Sequence, residues 1–264
     1  MAALAATERN ADLETPARYI EDAFAHARLA PSSQYFRSSG REVRNVEAGS
    51  GEIVVGAHYD SVPGSPGADD NASAVAVMIE LAALLKNATV PIRFVAFANE
   101  EMPYSRSDEM GSFVYAKLMK KRGERVRSMF SLEMLGFYSD APGSQRYPPF
   151  LHWFYPDRAD FIAFVGDLGA FRLVRRAHAL FRKHSDFPSE WLAGPSFIPG
   201  IHDSDHWSFR ECGYPALMVT DTAYNRNPHY HRASDTPDKL DYERMARVTL
   251  GLAGMLRELA SQDR

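Results

Sequence analysis

Apolar residues recur at helical spacing in Ala17, Ile20, Ala23, Phe24 and Ala27, which predicts an amphipathic helix over residues 14–29. Residues 42–47 suggest an edge strand. The run from Ile53 to Asp60 is apolar until it stops at His58-Tyr59-Asp60, the pattern of a buried strand whose carboxyl end turns polar. Residues 92–98, 128–135 and 215–220 read the same way, and 161–165 as a shorter strand. Between them, 71–85, 109–122, 168–182 and 241–259 are predicted helices. The first of these is apolar on most sides and rich in small residues, so it should be buried nearly all round.

Pro and Gly punctuate residues 62–68, 141–160 and 186–204, which predicts loops, the last two as irregular insertions. Strands otherwise alternate with helices. The expected fold is therefore α/β: a single three-layer domain over residues 1–264, with a mixed, mostly parallel twisted sheet and helices on both faces. Such sheets form their sites beyond the carboxyl ends of the strands.

Composition narrows the classes. With 45% hydrophobic and 24% charged residues the chain is an ordinary globular protein, able to bury a core without staples. A net charge of -4 gives no footprint for nucleic acid or an anionic membrane, so neither is expected as a partner. One cysteine, Cys212, excludes an internal disulfide framework and a thiolate-paired structural zinc. No apolar run reaches membrane-span length. The segment Met1–Thr7 is apolar but short and lacks a basic n-region, so no signal peptide is expected in this chain. A cytoplasmic location and export with the signal removed both stay open, as does the oligomeric state.

Candidate chemistry sits where strands end. His58 and Asp60 share one strand face and can act as a metal ligand and the group orienting it, or as a satisfied structural pair. Asp69-Asp70-Asn71 opens a helix, where capping explains one acid but not three polar residues in a row. Glu100-Glu101 ends a very apolar strand. Two ionised carboxylates there need a cation, or else they form an exposed pair. Glu133 is a lone acid in an apolar strand and needs a partner, arginine or metal. Tyr230-His231 lies in a polar turn, and His202 and His206 would share a helix face at i, i+4. No His-Glu-x-x-His, Gly-x-Ser-x-Gly, P-loop or dinucleotide fingerprint is present. Histidines and carboxylates on successive strand ends, with no thiolate, suit a hydrolytic zinc site, and an acid left over beside the ligands suits a general base.

Taken in order, Gly-Ala-His58-Tyr-Asp-Ser, Gly-Ala-Asp69-Asp-Asn-Ala-Ser, Asn-Glu100-Glu101, Ser-Leu-Glu133-Met-Leu-Gly, Ser-Asp205-His-Trp and Tyr230-His231-x-x-x-Asp-Thr resemble the two-zinc aminopeptidase family. Its bacterial leucyl aminopeptidase and aminopeptidase Y types share their fold with glutamate carboxypeptidase II and glutaminyl cyclase. The resemblance runs from about Val43 to the last helix. It implies two zinc ions per chain, a peptide or aminoacyl substrate, and removal of N-terminal residues through a water bridging the metals. Asp69 would bridge both ions, Glu101 and His231 would complete one site, and His58 and Glu133 the other. Glu100 would be the general base, Tyr230 would help hold the oxyanion, and Asp60, Asp70 and Asp205 would stand behind the ligands. A cis peptide between Asp69 and Asp70 is implied as well. Glu133 stands where many relatives have Asp, one methylene shorter. Two enzyme alternatives share the fold: a single-zinc glutaminyl cyclase, which would have tryptophan rather than Tyr230 before the last ligand, and a carboxypeptidase, for which Arg172, Arg175 and Arg176 could receive a carboxylate. A non-catalytic binding domain would not need the complete set.

Overall fold

A computed structural model describes residues 13–87 and 91–261. Met1–Thr7, read above for a leader, lie outside the described residues. The chain forms α1 (Glu14–His26), β1 (Pro31–Ser38), β2 (Arg41–Gly49), β3 (Ile53–His58), α2 (Ala74–Leu85), β4 (Ile92–Phe97), α3 (Gly111–Lys121) and β5 (Ser128–Glu133). It continues with β6 (Ile162–Asp167), α4 (Phe171–His184), β7 (Ser189–Gly194), α5 (His206–Glu211), β8 (Ala216–Thr220) and α6 (Tyr242–Ser261).

The eight strands make one sheet in the order β1-β2-β4-β3-β5-β8-β6-β7. The centre is parallel (β4-β3-β5-β8), β6 runs antiparallel to β8, and the β1-β2 hairpin joins antiparallel to β4. Every residue of β3 and β5 is buried, the signature of strands covered on both faces. One cover is built from α1, α2, α4 and α6, whose Phe24, Met78, Phe181 and Leu256 pack on Val55, Phe94, Phe130 and Leu217. The other is α3 and α5, whose Tyr115, Met119 and Phe209 pack on Val54, Val95 and Met129. The expected three-layer α/β architecture is thus present. Gly56 sits where a Cβ would come within 2.3 Å of the Phe97 ring, so β3 and β4 approach only because that side chain is missing.

Two expectations need correction. Residues 42–47 are not an edge strand. They lie inside β2, and the edge is β1, whose Ser-rich, half-buried pattern carries no clear period. Residues 186–204 are not wholly irregular, because Ser189–Gly194 pairs in parallel with β6 as the opposite edge strand. Its side chains are only partly covered, so the apolar run that marks a central strand is absent. Residues 141–160 do form an irregular excursion, closed by an isolated bridge between Ser139 and Ala159.

Candidate metal centre

The parallel strands β3, β4, β5 and β8 deliver their carboxyl ends to one basin. His58 is the last residue of β3, Glu133 the last of β5, and Glu100-Glu101 follow β4. Between β4 and that pair Asn99 takes φ +60°, a left-handed conformation asparagine tolerates, which turns the chain back over the sheet edge. His231 arrives on the loop before α6 with φ +57°, a strained backbone held by the surrounding structure.

Two groups of side chains could hold a cation: His58, Asp70 and Glu133, and Asp70, Glu101 and His231, with the ligand atoms of each group within 4.8 Å of one another. Asp70 belongs to both. Its Oδ1 lies 3.4 Å from His58 Nε2 and its Oδ2 3.0 Å from His231 Nε2. Glu133 Oε2 is 3.4 Å from His58 Nε2, and Glu101 Oε1 is 3.3 Å from His231 Nε2. The expectation that Asp69 is the shared ligand is therefore corrected by one residue. Asp69 is wholly buried and turned away, accepting from Gly136 N (2.8 Å) and Asn227 Nδ2 (2.7 Å). The turn over Ala68–Ser73 is not a regular helix, and its kink at Asp70 and Asn71 decides which acid faces the basin. The cis peptide shifts in step: it joins Asp70 and Asn71, not Asp69 and Asp70.

Supporting contacts fix these side chains. Asp60 was expected to orient His58. The backbone carbonyl of Asp60 is the nearer partner, 3.1 Å from His58 Nδ1, with the carboxylate at 3.6 Å. That carboxylate instead accepts from the amides of Glu100 (3.0 Å) and Glu101 (3.1 Å), pinning the turn that carries both acids. Ser204 Oγ donates to Glu133 Oε2 at 2.7 Å, steadying the longer side chain at that position. Asp235 accepts from the amides of Asp69 (3.0 Å) and Asp70 (3.2 Å). Asn71 donates to Leu132 O and accepts from Met134 N, tying the Asp70 turn to β5. In the sequence Ser204 and Asp235 stand only within motifs, and Asn71 only as one of three polar residues opening a helix; none of these patterns points to the contacts found here.

Glu100 stands beside the two groups, its Oε2 3.9 Å from His58 Nε2. Asp205 is fully buried just before α5, and neither carboxylate oxygen has a hydrogen-bond partner among the described residues. Tyr230 stacks on His231 with ring centroids 3.7 Å apart, and its hydroxyl makes no hydrogen bond among the described residues. His202 and His206 do not join the centre. His202 pairs with Asp167 at 3.3 Å, and His206 Nε2 donates to Ile201 O at 2.7 Å. Arg175 lies over the rings of Phe171 and Trp191 on the outer face of α4, away from the basin.

The electrostatics are those of excess buried anion. Burial pushes the carboxyls of Glu100, Glu101 and Glu133 above the usual range, and for Glu100 the neighbouring acids push the same way. Asp70 goes down to about 2, because its contacts with His231 and His58 outweigh burial. His58 is raised well above its ordinary value despite burial, chiefly by Glu133, and His231 to about 10 by Asp70 and Glu101. Asp70, Glu100, Glu101 and Glu133 find ion-pair partners only in these two imidazoles among the described residues. Four buried carboxylates against two imidazoles is a donor set that fits divalent cations.

An apolar pocket of about 100 Å³ opens beside Glu133 and Tyr230, walled by Phe161, Val165, Leu192 and Met218.

Residues 43–256 match the model of Peptidase family M28. The chain is 42% identical over 262 residues to the uncharacterized protein YfbL of Escherichia coli, covering 93% of this chain and 80% of that one. It is 27% identical over 224 residues to a probable leucine aminopeptidase of Arthroderma otae, covering 79% of this chain and 53% of the relative. The chain thus spans about half the length of that aminopeptidase. Its fold is shared with BSAP, a zinc aminopeptidase from Bacillus subtilis (TM-score 0.63, 24% identity, 86% of this chain and 52% of that one). It is also shared with Fimbriiglobus ruber glutaminyl cyclase (TM-score 0.65, 21% identity, 94% and 88%).

Proposed function

The chain belongs to peptidase family M28, and on that premise we propose that it is a zinc-dependent exopeptidase that removes N-terminal residues from peptides. The observation that carries the reading is Asp70, common to two groups of potential ligands, with Glu100 left outside both at the same basin. His58, Asp70 and Glu133 would hold one zinc ion, and Asp70, Glu101 and His231 a second. Zinc held there would polarise the scissile carbonyl and lower the pKa of the attacking water.

The chain's own groups have distinct tasks. Glu100, not required as a ligand, takes the proton from the attacking water at its carboxylate and returns it to the leaving amine. Its backbone is fixed by Asp60, so the carboxylate is presented at a constant angle to the basin. Tyr230 lines the pocket beside Glu133 and stacks on His231, where its hydroxyl would donate to the oxyanion of the tetrahedral intermediate. Asp60 and Asp235 hold the turns bearing Glu101 and Asp70 and keep both carboxylates facing inward.

The test is a panel of aminoacyl-nitroanilides and their N-acetylated counterparts, assayed as isolated, after chelation and after zinc is restored. Hydrolysis of the free amines only, abolished by chelator and restored by zinc, is the expected result. Cleavage of the acetylated substrates would defeat the aminopeptidase assignment, and cyclisation of an N-terminal glutamine peptide without hydrolysis would favour the cyclase alternative.

A further inference from the structure

Four residues on four neighbouring strands stand in one row across the sheet. Glu133 of β5 is in register with Thr220 of β8, Thr220 with Ala163 of β6, and Ala163 with Glu190 of β7. Residues in register share a sheet face, and all four line the apolar pocket. With neighbouring strands ~4.8 Å apart, three steps place Glu190 roughly 14 Å along the row from Glu133. The row therefore begins at the metal centre and ends on a carboxylate.

That carboxylate is unengaged. Glu190 makes no hydrogen bond or ion pair among the described residues, and burial pushes its carboxyl up, with Arg182 pulling the other way. Asp203, the other acid of the pocket wall, is already occupied. It pairs with Arg106 and accepts from Gly200 N (3.0 Å) and Tyr224 Oη (3.3 Å). A half-buried acid at the far end of an apolar passage calls for a ligand with a long apolar stem and a cationic tip.

We propose that this pocket receives the side chain of an N-terminal lysine or arginine, and that Glu190 selects it by pairing with the cationic tip. The proposal rests on the aminopeptidase reading. An extended lysine carries its ammonium about 6 Å from its Cα. With the substrate backbone at the Glu133 and Tyr230 end, the methylenes pass Thr220 and carry the ammonium toward Ala163, and Glu190 closes the remaining roughly 8 Å by reaching back along the row. Leucine fills only the near half and leaves that carboxylate facing an apolar group.

Two measurements test this. The first is kcat/KM for the lysine, arginine, norleucine and leucine nitroanilides with the parent enzyme and Glu190→Gln. The parent should favour lysine over norleucine by on the order of tenfold or more, because a site built to pair a polar group rejects the analogue lacking it. Glu190→Gln should lose that preference while keeping leucine hydrolysis within about threefold, as expected when no hydrogen-bonded partner is orphaned. A parent enzyme that favours norleucine, or a lysine-to-norleucine ratio unchanged in Glu190→Gln, overturns the proposal. The second is calorimetric binding of free L-lysine and L-norleucine, which needs no turnover. Lysine binding that disappears in Glu190→Gln supports the pocket assignment even if no anilide is cleaved and the peptidase reading fails. Equal binding of the two amino acids overturns it even if peptides are hydrolysed.

Discussion

If two zinc ions bind as proposed, replacing Asp70 with asparagine should remove both at once, because this one carboxylate is common to both groups of potential ligands. The consequence can be sized. An ion at 1,000 times its Kd stabilises the folded state by ~4.1 kcal/mol, so two ions contribute roughly 8 kcal/mol. For a chain of 264 residues, an unfolding entropy of ~2.1 cal/mol/K per residue gives roughly 550 cal/mol/K, hence about 7 °C in Tm per ion and about 15 °C for two. Scanning calorimetry of metal-stripped protein with and without zinc measures this directly, alongside zinc per chain. The parent should gain about 15 °C, Glu133→Gln and Glu101→Gln about half of that, and Asp70→Asn almost nothing. Asp69→Asn should still bind two ions, although it is strained by facing the Gly136 and Asn227 donors with an amide. The reasoning is refuted if Asp70→Asn keeps the full shift while Asp69→Asn loses it.

Two further outcomes follow from the same geometry. Asp60→Ala deletes the acceptor of the Glu100 and Glu101 amides and should lower zinc affinity or kcat/KM by about 10–100-fold, read by zinc titration and nitroanilide kinetics; unchanged values would show that the turn holds itself. His206 is fully buried and held down to about 4 from 6.5, so its neutral form stabilises the fold above pH 6.5, and that contribution is lost as pH falls from 6.5 toward 4. The loss should run at about 1.4 kcal/mol per pH unit in that window. Urea unfolding of metal-free parent and His206→Gln at pH 7, 5.5 and 4.5 should show the parent losing stability more steeply, and parallel curves would contradict this.

The central strands were legible because burial on both faces leaves an unbroken apolar run, and each run stops at the polar residue that enters the basin. His58, Glu101 and Glu133 stand at or just after such stops, whereas His231 lies in a loop and is assigned as a ligand only through the family resemblance. The edge strands β1 and β7 were not legible, because half-covered strands carry no such run. The choice between Asp69 and Asp70 was also beyond the sequence. Two adjacent acids are equivalent in pattern, and the irregular Ala68–Ser73 turn, tied to Asp235 and β5, sets which of them faces inward. The pairing of Asp60 with two backbone amides and of Ser204 with Glu133 needs contacts between segments far apart in the chain. The register row from Glu133 to Glu190 depends on strand pairing that no local period encodes.

The most direct test of the account is Glu100→Gln, measured for bound zinc and for single-turnover hydrolysis of a nitroanilide that the parent cleaves. The account predicts zinc content equal to the parent's and a rate lower by about 10²–10⁴-fold, the usual share of a positioned general base. Parent-level turnover with the metal in place would contradict it.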